Sequence, residues 1–226
     1  MKLKKIASLM LAGIMAVSML AGCKSGTTPN DDSSSSQVPA ATNVATYAND
    51  MLSGSQKEVF TFVGSSELDS ILDDVANNKD KYASTAIEDT FNKTDAIRGV
   101  GANDSYAVSK MLKGVQDKLD GIVTGNFSKL PATNVKTQKA VELYTISGAY
   151  EEKAAVQKIV DAYLDVVDQA GGFKAAFPAG VSGSDCEYTA EISAVKVASA
   201  EHSEKTAWVV AMVFTQTATA TANANS

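Results

Sequence analysis

From Ala207 to Phe214 the sequence reads Ala-Trp-Val-Val-Ala-Met-Val-Phe, without one polar side chain. In a strand, successive side chains point to opposite faces. Trp208, Val210, Met212 and Phe214 therefore share one side, and Ala207, Val209, Ala211 and Val213 the other. Apolar residues on both sides predict a strand covered on both faces. The segment before it, from Glu187, is also rich in β-branched residues and alternates. Tyr188, Ala190, Ile192 and Ala194 hold one phase, after which Val195 and Val197 take the opposite one, and a β-bulge near Ala194 is expected to absorb that slip. Glu201-His202-Ser203-Glu204-Lys205 supplies the polar turn of a C-terminal hairpin.

Upstream, the apolar spacing changes to that of helices. Leu68, Ile71, Leu72, Val75 and Ala76 form one stripe, behind a capping-box-like start at Ser66 with Asp69. A second helix is expected with Tyr82, Ala83, Ala86, Ile87, Thr90 and Phe91 inward. A third starts near Asn103 or Ser105, carries Val108, Met111, Leu112, Val115, Leu119, Ile122 and Val123, and ends at Gly125. A fourth runs from Glu151 to Ala170 with Val156, Ile159, Val160, Tyr163, Leu164 and Val167 inward, and stops at Gly171-Gly172. A strand is expected at Glu58 to Val63, and Ala140 to Ile146 fits either a helix or a strand, the strand being preferred. The whole predicts an α+β fold in which several amphipathic helices pack on one face of a small, largely antiparallel sheet that includes the hairpin. One domain is expected over residues 44–217, with a flexible tail over 218–226.

The chain opens differently. Lys2, Lys4 and Lys5 are followed by a charge-free run from Ile6 to Leu20, the pattern of an export signal. That run is shorter than the roughly 20 apolar residues a membrane-spanning helix needs, and it ends in Leu20-Ala21-Gly22-Cys23. These four residues resemble the lipobox of bacterial lipoproteins. The resemblance implies cleavage before Cys23, diacylglycerol on its sulfur and an address on the extracytoplasmic face of a bacterial membrane, at the cell surface or on the periplasmic side. Residues 1–22 would then be the signal peptide. Residues 23–43, rich in Ser, Gly, Thr and Pro, would be the lipidated cysteine and a disordered tether.

Loss of residues 1–22 leaves 17 basic and 26 acidic residues, a formal charge of −9. That balance opposes nucleic acid and anionic lipid headgroups, and no basic patch is expected, since Lys110, Lys113 and Lys118 share their segment with Asp117 and Asp120. The partners expected are the membrane, through the lipid on Cys23, and an envelope protein or glycan.

Chemistry-bearing patterns are sparse. His202 is the only histidine, so the common zinc sites cannot be built, and it falls in the polar turn. Cys186, the only other cysteine, has no base beside it and reads as a half-buried strand residue. Gly180-Val181-Ser182-Gly183-Ser184 lacks the second glycine of a nucleophile elbow, and the strand lies after it rather than before. Ser193 and Lys196 match a serine–lysine spacing, which needs a helix and here falls in a strand. Asp161, Asp165 and Asp168 lie on the solvent side of a helix, with no calcium-loop pattern. Gly99-Val100-Gly101 lacks the third glycine of a phosphate cradle. Trp208 reads as a core residue; Tyr47, Tyr144 and Tyr150 are unassigned. No catalytic, cofactor-binding or metal-binding residue is expected, and no cofactor. The reading is a lipid-anchored binding or interaction module, with a carboxylate-dependent hydrolase of cell-wall or other glycans as the alternative. A two-lobed solute-binding protein fits neither the length nor the pattern.

Overall fold

The computed structural model describes residues 43–78, 81–82, 85–92, 96–100, 110–121, 123–124, 137–181, 183–199 and 202–220. Its elements, in chain order, are helices α1 (Asn43–Asn49) and α2 (Gly54–Lys57), strand β1 (Phe62–Gly64), helices α3 (Ser66–Asn77) and α4 (Thr85–Asn92), strand β2 (Arg98–Gly99), helix α5 (Lys110–Lys118), strands β3 (Val123–Thr124) and β4 (Thr137–Ser147), helices α6 (Glu152–Gln169) and α7 (Phe173–Ala176), and strands β5 (Gly180–Val181), β6 (Ser184–Ala198) and β7 (Thr206–Ala220). The fold is α+β. Among the described residues no helix is long and apolar enough to cross a membrane.

β7 is central, antiparallel to β6 on one side and to β4 on the other. Short strands extend the sheet: β1 lies parallel to β6, β5 antiparallel to β6, β2 antiparallel to β4 and β3 parallel to β4. The β6–β7 register runs without a break from Ser184 opposite Ala220 to Ala198 opposite Thr206. The expected bulge near Ala194 is therefore absent. Val195 and Val197 need none, because they face a second apolar layer.

That second layer corrects the expectation of helices on one face only. Val210, Met212 and Phe214 pack with residues of α1 and α6 and with Phe177, just beyond α7. Ala207, Val209, Ala211 and Val213 pack with residues of α3, α4 and α5. The chain forms three layers because β7 has no polar side to leave in water, as its composition requires.

The helical stripes fall where the spacing places them. α3 buries Leu68, Ile71, Leu72, Val75 and Ala76. Its N-cap is Ser65, one residue before the expected start, with Oγ accepting from the Leu68 N–H at 3.3 Å. In α4, Ile87 and Thr90 are buried and Phe91 half-buried. Tyr82 is buried ahead of that helix, and Ala83 lies outside the described residues. α5 buries Met111 and Val115 but ends at Lys118; Gly121 takes a left-handed φ of 99° and Val123 begins a strand. The expected stop at Gly125 is thus four residues late, and Asn103, Ser105, Val108, Ile122 and Gly125 itself lie outside the described residues.

The first strand is shifted too. Ser53 and Gln56 form a reciprocal capping box that starts α2, and the chain becomes extended only at Phe62 rather than Glu58. The Asn49 side chain then occupies the outer edge of β1, donating to Phe62 O at 2.9 Å and accepting from Phe62 N–H at 2.8 Å. At the other end, β7 continues to Ala220, because Ala218, Thr219 and Ala220 pair with Cys186, Asp185 and Ser184. The tail was expected to begin at residue 218; residues 221–226 lie outside the described ones.

The face under α6 is organised by aromatic rings. Phe60 lies 5.5 Å from Phe62, 4.9 Å from Phe177 and 5.3 Å from Phe214, and Phe214 stacks on Tyr163 at 5.3 Å. Gly171 and Gly172, with φ of 116° and 88°, turn the chain after α6 so that Phe173 and Phe177 reach Phe60. Phe214→Ala removes a ring that meets Phe60, Phe62, Tyr163 and Phe177. It should destabilise the protein by about 3–5 kcal/mol, read as a lower urea midpoint with an unchanged slope.

Candidate functional site

The residues singled out in the sequence are not brought together. His202 sits in the β6–β7 turn, closed by Lys205 N–H donating to His202 O at 2.9 Å, with its Nδ1 3.6 Å from Glu204 Oε1 and both side chains exposed. Gly180 and Val181 pair with Asp185 and Ser184, and the chain reverses at Gly183 with φ of 79°. The elbow-like segment is thus a hairpin turn; Ser182 lies outside the described residues. Ser193 is buried on the α3 side, whereas Lys196 lies over the Trp208 ring on the α6 side. Asp161, Asp165 and Asp168 are all exposed on α6. Gly99 belongs to β2 and Val100 is buried beside it; Gly101, like Cys23, lies outside the described residues.

Two of the clustered lysines are paired with acids. Lys113 meets Asp117 at 2.8 Å. Lys118 meets Asp74 at 2.9 Å, across a shallow groove of about 610 Å³ lined by Glu67, Ser70 and Ile71. The hydrogen bond to Asp74, then its charge, raises the Lys118 ammonium above its ordinary value.

A polar seam inside the α6 face was not foreseen. Gln138, Gln216 and Tyr188 lie opposite one another on β4, β7 and β6. Gln138 Nε2 donates to Gln216 Oε1 at 2.7 Å, Gln216 Nε2 to the Tyr188 hydroxyl at 2.7 Å, and that hydroxyl to Pro178 O at 2.7 Å. Burial pushes Tyr188 up to about 12. Cys186 shares this hydroxyl, and burial raises its thiol, the opposite of what a reactive thiolate needs. It is half-buried in β6, as its sequence context suggests.

Further along β4, Glu142 faces the same layer. Burial alone raises its carboxyl from 4.5 to about 7. Burial, then the Glu142 charge, lifts Tyr144 to about 12, and the same two causes lift Tyr163 well above its ordinary value. Tyr144 and Tyr163 meet edge to face at 6.4 Å. This is an acid that keeps its proton to near neutrality, beside two neutral phenols. It has the right form for a proton donor, but the two-carboxylate hydrolytic scheme needs a second acid roughly 5–10 Å away, and among the described residues no other carboxylate contributes to its shift. Among the described residues no three His, Cys, Asp or Glu side chains group to hold a metal ion.

A second feature lies at the surface, where three lysines cover three half-buried rings. Lys153 lies 5.7 Å from the Tyr47 ring, Lys158 5.3 Å from Tyr150 and Lys196 5.3 Å from Trp208. The Trp208 indole N–H donates to Tyr150 O at 2.9 Å, which joins the last two pairs. Trp208 packs against the core, as its phase predicts, but also supports this band.

The buried acid has a pH signature. With Glu142 at about 7 folded and 4.5 unfolded, the folded chain binds more protons across that window, so stability falls as pH rises from about 4.5 to about 7 and is level above it. The size is on the order of 3 kcal/mol. Glu142→Gln should flatten this part of a stability–pH profile measured by urea unfolding, and should be the more stable form at pH 8.

Comparison with protein-family models, with curated proteins and with solved structures finds no match, so what these features can do is argued from their own chemistry.

Proposed function

We propose that this chain is a lipid-anchored extracytoplasmic envelope protein, held to a bacterial membrane by diacylglycerol on Cys23, and that its domain is a binding or interaction module. The reading is carried by Leu20-Ala21-Gly22-Cys23, placed after a basic start and a charge-free apolar run. Two acyl chains hold a protein to a bilayer where one would be marginal.

Cys23→Ala should abolish incorporation of labelled fatty acid and leave the chain uncleaved or released from the membrane fraction. Undiminished label in the variant would overturn the reading.

The alternative, a glycan hydrolase that relies on carboxylates, is favoured by one observation, the proton-holding Glu142. On that reading the purified chain releases reducing ends from cell-wall glycan at neutral pH, and Glu142→Gln loses at least 100-fold in rate, on the order of what a general acid contributes. A chain without such activity, or a variant as active as the parent, rejects it.

A further inference from the structure

We propose that the buried row of Gln138, Gln216 and Tyr188 is a register device. It fixes which residues of β4 lie opposite β7, a choice that the apolar pattern of β7 leaves open, and it does so without adding to the stability of the fold.

The register of β6 on β7 has its own determinant. A turn joins these strands, closed by Ser199 N–H donating to Lys205 O at 2.8 Å and Lys205 N–H to His202 O at 2.9 Å, and turn geometry sets the register of a hairpin. No turn joins β4 to β7, since α6, α7, β5 and β6 come between them in the chain. A one-residue slip of β4 is excluded by its faces, because it would carry Gln138, Glu142 and Tyr144 to the α3 side and Lys139 under α6. A two-residue slip keeps every side chain on its own face. On the α3 side, Val141 and Leu143 would then meet Ala211 and Val209, or Thr215 and Val213, in place of Val213 and Ala211. All of these are small. On the α6 side, Ala140 would move from Phe214 to Met212 or to Gln216.

The amides discriminate where the apolar residues do not. Gln138 and Gln216 are 1 % and 0 % exposed, and the bond from Gln138 Nε2 to Gln216 Oε1, at 2.7 Å, is the only side-chain hydrogen bond between β4 and β7 among the described residues. Either two-residue slip parts these atoms. One carries Gln138 opposite Phe214, and the other leaves Gln216 opposite Ala140. A buried polar group that loses its partner costs more than a formed bond gains. As a stabiliser, however, the row is imperfect, because Gln138 Oε1 has no partner among the described residues. Apolar side chains of similar shape at all three places would cost nothing in stability, since both partners of each bond are then removed together. What they would lose is the means of telling one register from the next, the use for which a buried polar group is best attested.

Register is read by cross-linking in the full chain with Cys23 and Cys186 changed to Ser. Lys139→Cys with Thr215→Cys places two thiols directly opposite each other, at roughly 5 Å between Cα atoms, on the face away from the row. Lys139→Cys with Thr217→Cys, and Thr137→Cys with Thr215→Cys, lie on diagonals of roughly 7–8 Å, beyond ordinary disulfide reach. Each diagonal pair comes opposite only after a two-residue slip. With the row intact, mild oxidation should close the opposite pair and leave the diagonal pairs largely open. Changing Gln138 and Gln216 to Met and Tyr188 to Phe should raise the diagonal yield by about tenfold or more. The same triple variant should melt no lower than Gln138→Met alone, which leaves Gln216 Oε1 unpaired. Three results would overturn the proposal: diagonal pairs that close as readily as the opposite pair with the row intact, a triple variant that still closes the opposite pair alone, or a triple variant that is unfolded or melts below Gln138→Met. In the last case the row holds the fold and not its register.

Discussion

Between Ala207 and Phe214 every side chain of β7 is apolar, and all but Trp208 are at most 1 % exposed. Burying such side chains stabilises the fold by about 1.5–3 kcal/mol for each Val, Met or Phe, but only if both faces of the strand are covered. The architecture follows from that requirement. β6 and β4 satisfy the backbone of β7 on either edge, α1, α6 and α7 close one face, and α3, α4 and α5 close the other. The two faces are filled differently. The α6 side is aromatic, with Phe60, Phe62, Phe177, Phe214 and Tyr163 in mutual contact. The α3 side is mostly aliphatic, with Tyr82 and Phe91 its aromatic members, and β7 offers it only alanines and valines.

A strand this apolar leaves little room for polar groups, and those on the α6 face survive for specific reasons. Gln138, Gln216 and Tyr188 are in register on three adjacent strands, so each amide meets a partner across the ladder. Each bond is worth about 1 kcal/mol net; Gln138 Oε1 has no partner among the described residues, and breaking the row would leave further buried donors or acceptors unpaired at a larger cost. Glu142 follows another course. It finds no cation among the described residues and is accommodated by holding its proton to about 7, as a desolvated carboxyl does.

The elements whose apolar period is long were legible. The stripes of α3 and α6, the two sides of β7 and the exposed turn around His202 all follow from spacing alone, because 3.6-residue and two-residue periods persist over several turns or steps. Boundaries set by single hydrogen bonds were not. Ser65 rather than Ser66 caps α3, and both are serines. The phase change after Ala194 looks like a bulge when only one face is imagined as buried, and like ordinary alternation once both are. Glu142 was invisible for a related reason: in sequence it is a charged residue at one alternating position, and nothing local says that α6 will cover it. The lysine–aromatic band was hidden because its members come from α1, α6, β6 and β7, which only the tertiary fold assembles.

The same register separates two ends of the molecule. Trp208 and Lys196 lie opposite each other near the β6–β7 turn, whereas Gln216 and Tyr188 lie opposite each other eight residues away along both strands, roughly 27 Å at strand rise. One end has the chain entry, the positive start of α6 and the lysine-covered rings. The other has the amide row, Cys186 and the tight β5–β6 hairpin.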